Sequence, residues 1–177
     1  VGEFACAVPP LLVTRNLEPI YDNARAIRAL ALVRERVPNA QLVVAGSGPE
    51  ETRLKQLAES LKLGDSVNLA GRVDAADMPA LYRSAHVSLN PSRVDNMPNS
   101  VLEALAAGVP VVSTRVGGVP YIVEHAKNAL LVEPGDVASM AESPFHPRTR
   151  KSAETPRREL MVMPDMGLLV LPTRPTI

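Results

Sequence analysis

Residues 90–118 read N-P-S-R-V-D-N-M-P-N-S-V-L-E-A-L-A-A-G-V-P-V-V-S-T-R-V-G-G, and the rest of the chain can be arranged around them. The stretch begins where an apolar strand at 86–90 ends, passes through a polar, turn-rich loop, and enters a helix. The helix is marked by Val101, Leu102, Leu105 and Ala106, apolar residues at helical spacing. Gly108 stands where a helix C-terminus favours glycine, and residues 109–114 form a continuous apolar run of the kind found in a strand buried on both faces. Such a strand, loop and helix unit aims the helix N-terminus at the carboxyl ends of the strands. Free backbone N–H groups and the positive end of the helix dipole make that spot an anion site. The loop and helix add two carboxylates, Asp95 and Glu103, eight residues apart. Recognition of phosphate together with hydroxyl groups is the chemistry this combination suits. A structural reading stands beside it: Ser100-x-x-Glu103 also fits a capping box, and Asp95-Asn96 is ordinary turn chemistry.

Working outward from this unit, the chain alternates strands and helices. Residues 11–14 make a first strand closed by Arg15, and Ala24, Ile27, Leu30, Ala31 and Arg34 follow helical spacing up to Pro38. A second strand at 41–45 leads through Gly46-Ser47-Gly48-Pro49 into a helix at about 50–63, stopped by Gly64-Asp65. A third strand at 67–70 is followed by the turn Gly71-Arg72-Val73 and a short helix at 78–85, with Asp77 as candidate cap. Beyond Gly118 a short helix at 119–124, a sixth strand at 129–132 and a helix starting at Asp136 are expected. The reading is a doubly wound parallel sheet of about six strands, of α/β class and Rossmann-like, with strand order 3-2-1-4-5 in its first five. In that order strands one and four are neighbours at the switch point. Arg15 and the loop at 91–100 should therefore converge at the carboxyl edge, where ligands bind. An arginine there matches phosphate oxygens with its planar fork.

Composition narrows the function classes. In 177 residues, 19 basic side chains balance 19 acidic ones, and with neither a basic patch nor aromatic platforms nothing points to nucleic acid. No apolar run approaches the ~20 residues of a membrane-spanning helix, and residues 1–10, read as a lead-in, lack the charged start of a signal peptide. A cytoplasmic location is the expectation, and the single Cys6 agrees with a reducing compartment. Gly46-x-Gly48 lacks the third glycine of a dinucleotide fingerprint, Glu51 standing in its place, so the two glycines read as tight-turn residues with close backbone packing. His86 and His125 have no metal-ligand companions at useful spacing, and no metal is expected. The domain is expected over 11–141. From 142 to 177 the helical period is lost, six prolines mix with arginines, and an irregular tail is expected with one short strand near 168–171.

The 91–118 segment resembles the nucleotide-sugar-binding half of the retaining GT-B glycosyltransferases of group one, the glycogen synthase-like family, whose signature is E-x7-E followed by G-G. Asp95 stands for the first glutamate, Glu103 is the second, and Gly117-Gly118 is the pair. The resemblance covers about 11–141 and implies a donor-binding domain for a UDP- or GDP-type sugar, with no other cofactor. It implies diphosphate contact by Arg15, ribose contact by Glu103, and contact of Asp95 with the transferred sugar, helped by backbone N–H groups of Asn96, Met97 and Asn99. Val73 would line the base pocket. Asp95 and Glu103 are the pair it implies for catalysis. It also implies a partner, an N-terminal acceptor domain facing this one, which these residues do not include. Two departures stand out: the lysine expected a few residues after the arginine appears as Tyr21, and Asp95 is one methylene shorter than glutamate. A non-catalytic nucleotide-binding or regulatory module and a sugar-nucleotide epimerase share the same scaffold and are the alternative readings.

Overall fold

The computed structural model describes residues 10–147, Thr149, and the backbone of 160–163 and 167–170. Cys6, the lead-in up to residue 9 and the rest of the tail lie outside the described residues. Six parallel strands, β1 (Leu11–Val13), β2 (Leu42–Ala45), β3 (Val67–Gly71), β4 (Val87–Asn90), β5 (Val111–Thr114) and β6 (Leu130–Val132), form one sheet in the order β3-β2-β1-β4-β5-β6. The expected order is therefore found. It arises because the connection from β3 returns across the sheet and sets β4 beside β1, with Leu11 opposite Val87 and Leu12 opposite Ser88.

Strand side chains alternate between faces, so a sheet covered on both sides needs apolar residues at consecutive positions. Leu11 and Val13 of β1 join Leu42, Val44, Val87 and Leu89 on one face, under α1 (Asn23–Arg36) and α2 (Glu51–Ser60). Leu12 and Val43 point the other way, into a second core with α3 (Met78–Ser84), α4 (Asn99–Ala106) and α5 (Val119–Ile122). A further helix, α6 (Val137–Glu142), brings Met140 and Ala141 back to the first face. Asp136 caps it, its Oδ1 accepting from the Ser139 N–H at 2.9 Å and its Oδ2 from the Ser139 hydroxyl at 2.6 Å; the hydroxyl bond first, and the N–H bond next, hold the Asp136 carboxyl below its usual pKa.

Three local expectations differ from the structure. Of the spaced apolar positions Val101 is buried but Leu102 is 41% exposed, and α4 buries Ala104, followed by Ala107. Helical spacing alone does not choose between adjacent stripes, whereas the small Ala104 lets the helix close on the strands. Asp77 occupies the position before α3 but in helical conformation and without a side-chain cap. Past 141 the chain keeps buried residues, Ser143 and Pro144 in a short 3-10 turn, and a two-stranded antiparallel hairpin pairs β7 (Leu160–Met163) with β8 (Gly167–Val170).

Candidate functional site at the carboxyl edge

β1 and β4 end side by side, and their polar ends build the site. Asn90, the last residue of β4, is 2% exposed and acts as its hub. Its Oδ1 accepts from Arg15 Nε at 3.2 Å and from Ser92 Oγ at 2.7 Å, while its Nδ2 donates to Ser113 Oγ at 3.0 Å and Asp95 Oδ2 at 3.3 Å. Arg15 Nη2 donates to the same Asp95 oxygen. Arg15 and the 91–100 loop thus converge as strand order demands, and the half-buried arginine meets the buried carboxylate. Burial lowers the Arg15 pKa, while Tyr21, Tyr82 and Glu103 act in the opposite sense. The guanidinium also lies 5.0 Å from the centre of the Tyr21 ring. Where the family signature would supply a second cation, this chain supplies an aromatic face for the first one.

The loops that carry these groups are held by backbone contact. Gly118 N–H donates to Asp95 carbonyl O at 2.9 Å, and a Cβ on Gly118 would fall 1.8 Å from the Asn96 carbonyl oxygen. Gly117 adopts φ +50, and a Cβ there would meet the Asp95 carbonyl oxygen at 2.3 Å. Glycine at both positions is thus a condition for the β5–α5 loop to lie against Asp95-Asn96. Gly46 plays the same part under β1, since its Cβ would lie 2.1 Å from the Arg15 carbonyl oxygen. A third tie joins the β1–α1 and β4–α4 loops: Asp22 Oδ2 accepts from Arg25 Nη2 at 2.6 Å and Arg93 Nε at 3.1 Å. Arg25 Nη1 also reaches the Pro91 carbonyl at 3.3 Å.

Glu103 belongs to a second cluster. Its Oε2 accepts from the Tyr82 hydroxyl at 2.8 Å, and Thr14 Oγ1 lies 2.8 Å from that hydroxyl. The capping box is not formed. The helix begins at Asn99 after Pro98, which puts Ser100 inside the first turn with its Oγ buried and lacking a partner, while the Glu103 side chain turns to Tyr82. The first bond inside α4 is Val101 N–H to Pro98 O at 2.9 Å, so the amides of Asn99 and Ser100 precede it. Asn96 and Asn99 are exposed, Met97 is 68% exposed, and Val73 is half-buried in the turn after β3, two strands away from β1.

Asn90, Tyr82 and Thr14 carry much of this geometry and escape a reading of the sequence by motif. Two signals are nonetheless in it: Asn90 closes an otherwise apolar strand, and Tyr82 is one of only three tyrosines in the chain. His125 ties the backbone, its Nδ1 accepting from Leu131 N–H at 3.0 Å. Among the described residues no three His, Cys, Asp or Glu side chains group to hold a metal, and no helix is long and apolar enough to cross a membrane.

The arrangement offers a cation, amides at a helix start and a hydrogen-bonded carboxylate along one sheet edge, suited to an anionic ligand bearing hydroxyls. Known proteins resemble the chain in sequence and fold. A GDP-mannose-dependent alpha-(1-6)-phosphatidylinositol monomannoside mannosyltransferase of Mycobacterium tuberculosis is 33% identical over 142 residues, which are 76% of this chain and 37% of that protein. A D-inositol 3-phosphate glycosyltransferase of Pseudarthrobacter chlorophenolicus is 35% identical over 137 residues, 75% of this chain and 33% of the relative. The chain thus spans about a third of the length of these relatives. Among solved structures, Anabaena HepE in complex with UDP and glucose superposes with a TM-score of 0.73 at 25% identity, over 82% of this chain and 40% of that one. The C-terminal domain of the Francisella tularensis group 1 protein LpcC gives 0.73 at 22% identity over 83% of both chains. The model of the family "Glycosyl transferases group 1" matches residues 9–143, and the chain belongs to that family, with its GT-B Rossmann-like fold.

Proposed function

We propose that this chain is the donor-binding domain of a retaining glycosyltransferase that uses a UDP- or GDP-type sugar. The observation that carries the reading is the meeting of Arg15 with the Asp95 loop at the start of α4, which the adjacency of β1 and β4 produces. In glycosyl transfer the bond from the anomeric carbon to the diphosphate oxygen breaks and negative charge collects on the leaving diphosphate. The Arg15 fork and the leading amides of α4 meet that charge, and Glu103 accepts from the ribose hydroxyls. The names of the relatives support both bases: the mycobacterial protein is GDP-mannose-dependent, and HepE was solved with UDP. Transfer also requires an acceptor held in line and water kept out, work for a facing domain. The 177 residues alone are therefore expected to bind donor without multiple turnover to an acceptor.

Calorimetric titration with UDP, GDP, UDP-glucose and GDP-mannose tests this reading. Saturable binding of one base series, weakened by Arg15→Ala for the diphosphates more than for the nucleosides, is the expected result. Binding of none of the four overturns it.

A further inference from the structure

Tyr82 is 1% exposed and sits in the second core among Leu12, Val43, Val101 and Ala104, yet its hydroxyl reaches the carboxyl edge. Among the described residues three oxygens lie by that hydroxyl: Thr14 Oγ1 at 2.8 Å, Glu103 Oε2 at 2.8 Å and the Ser100 carbonyl at 3.3 Å. Their chemistry settles the direction of the hydrogen bonds. An ionised carboxylate and a backbone carbonyl only accept, and a phenol has one proton to give. The proton goes to the nearer, charged acceptor, Glu103, and Thr14 must then donate to the phenol oxygen. Burial first, and the neighbouring Glu103 charge next, push the Tyr82 pKa up, which keeps this donor protonated.

A glutamate at this position on a half-exposed helix has several rotamers open to it, and one fixed bond to Oε2 selects among them. The other oxygen, Oε1, has no hydrogen-bond partner among the described residues. We propose that Tyr82, itself backed by Thr14, is a positioning residue that holds Glu103 so that Oε1 accepts from a ribose hydroxyl of the bound nucleotide. The inference rests on the donor-site reading for its ligand. On this account the hydroxyl-dependent part of nucleotide affinity passes through a side chain that touches no ligand. Phosphate affinity does not, because Arg15 bonds to Asn90 and Asp95 instead.

The test compares UDP with 2′,3′-dideoxy-UDP, and GDP with its dideoxy counterpart, by calorimetry in the wild type, Tyr82→Phe, Thr14→Val and Glu103→Ala. Phe keeps the ring in the core and removes only the hydroxyl. The wild type is expected to prefer the ribonucleotide by about tenfold or more, the worth of one charged hydrogen bond. Tyr82→Phe should cut that preference several-fold and Thr14→Val less, with dideoxy affinity within about twofold of wild type, and Glu103→Ala should bring the ratio close to one. A merely structural Tyr82 gives a different pattern: a lower unfolding midpoint, with both nucleotides weakened in proportion and the ratio kept. That pattern overturns the proposal. A ligand-free measurement separates it from the donor-site reading. Side-chain NMR couplings of Glu103 should report one rotamer in the wild type and averaging in Tyr82→Phe. A single unchanged rotamer in Tyr82→Phe overturns the positioning role even where nucleotides bind. Averaging there without any nucleotide binding supports the positioning and sinks the proposed function alone.

Discussion

Asp95 and Glu103 stand eight residues apart in one short segment, and the fold treats them in opposite ways. The Asp95 side chain is 6% exposed, faces an arginine that is itself 12% exposed, and takes a further bond from Asn90. Glu103 is half-buried and receives its hydrogen bond from a neutral phenol. A carboxylate taken out of water needs compensation, and the compensation decides what remains for a ligand. At Asp95 a cation supplies it, so the carboxylate charge is answered inside the protein. At Glu103 a phenol supplies it, so the negative charge and one oxygen stay available. Two matching positions of one signature thus differ in kind, one met by a cation and the other by a phenol.

The largest expected effect follows from the closed half. Asp95→Ala leaves the Arg15 cation without its buried partner and should lower unfolding stability by about 3 to 5 kcal/mol, read in urea denaturation. A loss below ~1 kcal/mol would mean that water solvates Arg15 and that the contrast between the two carboxylates is false. Next comes the open half: Glu103→Ala should weaken nucleotide binding by about 1 to 3 kcal/mol with a smaller change in stability. The reverse outcome, a lower melting temperature at unchanged affinity, would make Glu103 structural like Asp95.

A third effect belongs to the phenol. Burial and the Glu103 charge raise the folded pKa of Tyr82 above its unfolded value of about 10. Stability tied to the protonated phenol is fully present below that value and is lost as pH rises from there toward the folded pKa. Thermal melts of the wild type should therefore fall in midpoint above about pH 10, and those of Tyr82→Phe should fall less. Parallel curves would place the hydroxyl outside the low-dielectric cluster. The smallest effect marks the baseline for ion pairs far from the site. Glu51 and Lys55, one helical turn apart on α2 at 2.6 Å, are both about half exposed or more, and Lys55→Ala should cost only about 0.3 to 0.5 kcal/mol. An equal cost for Lys55→Ala and Asp95→Ala would dissolve the distinction between paired charges in water and paired charges in the core.

Much of the frame was legible from residues alone. The strands expected at 41–45, 86–90 and 109–114 are found as β2, β4 and β5, and Gly108, with φ +69 and its N–H bonded to the Leu105 carbonyl, ends α4 where expected. The convergence of Arg15 with the 91–100 loop followed from strand order. The exposure of Leu102 did not follow, because apolar spacing marks a helix without saying which of two neighbouring stripes finds a neighbour. Nor did the capping-box spacing at Ser100 and Glu103 reveal that a tyrosine 21 residues upstream takes the carboxylate instead.

The division has a physical cause. Side-chain periods of 2 and 3.6 residues, glycine at positive φ and a cap such as Asp136 act within a few residues, so the sequence by itself determined the strands, the helices and, through short crossovers, their order. Hydrogen bonding in the site acts across 68 residues between Thr14 and Tyr82 and 80 between Arg15 and Asp95. Which buried donor meets which acceptor depends on the depth of each side chain below the sheet edge and on backbone clearances such as those at Gly117 and Gly118. Only the tertiary structure decided that Asp95 would be matched by a cation and Glu103 by a phenol.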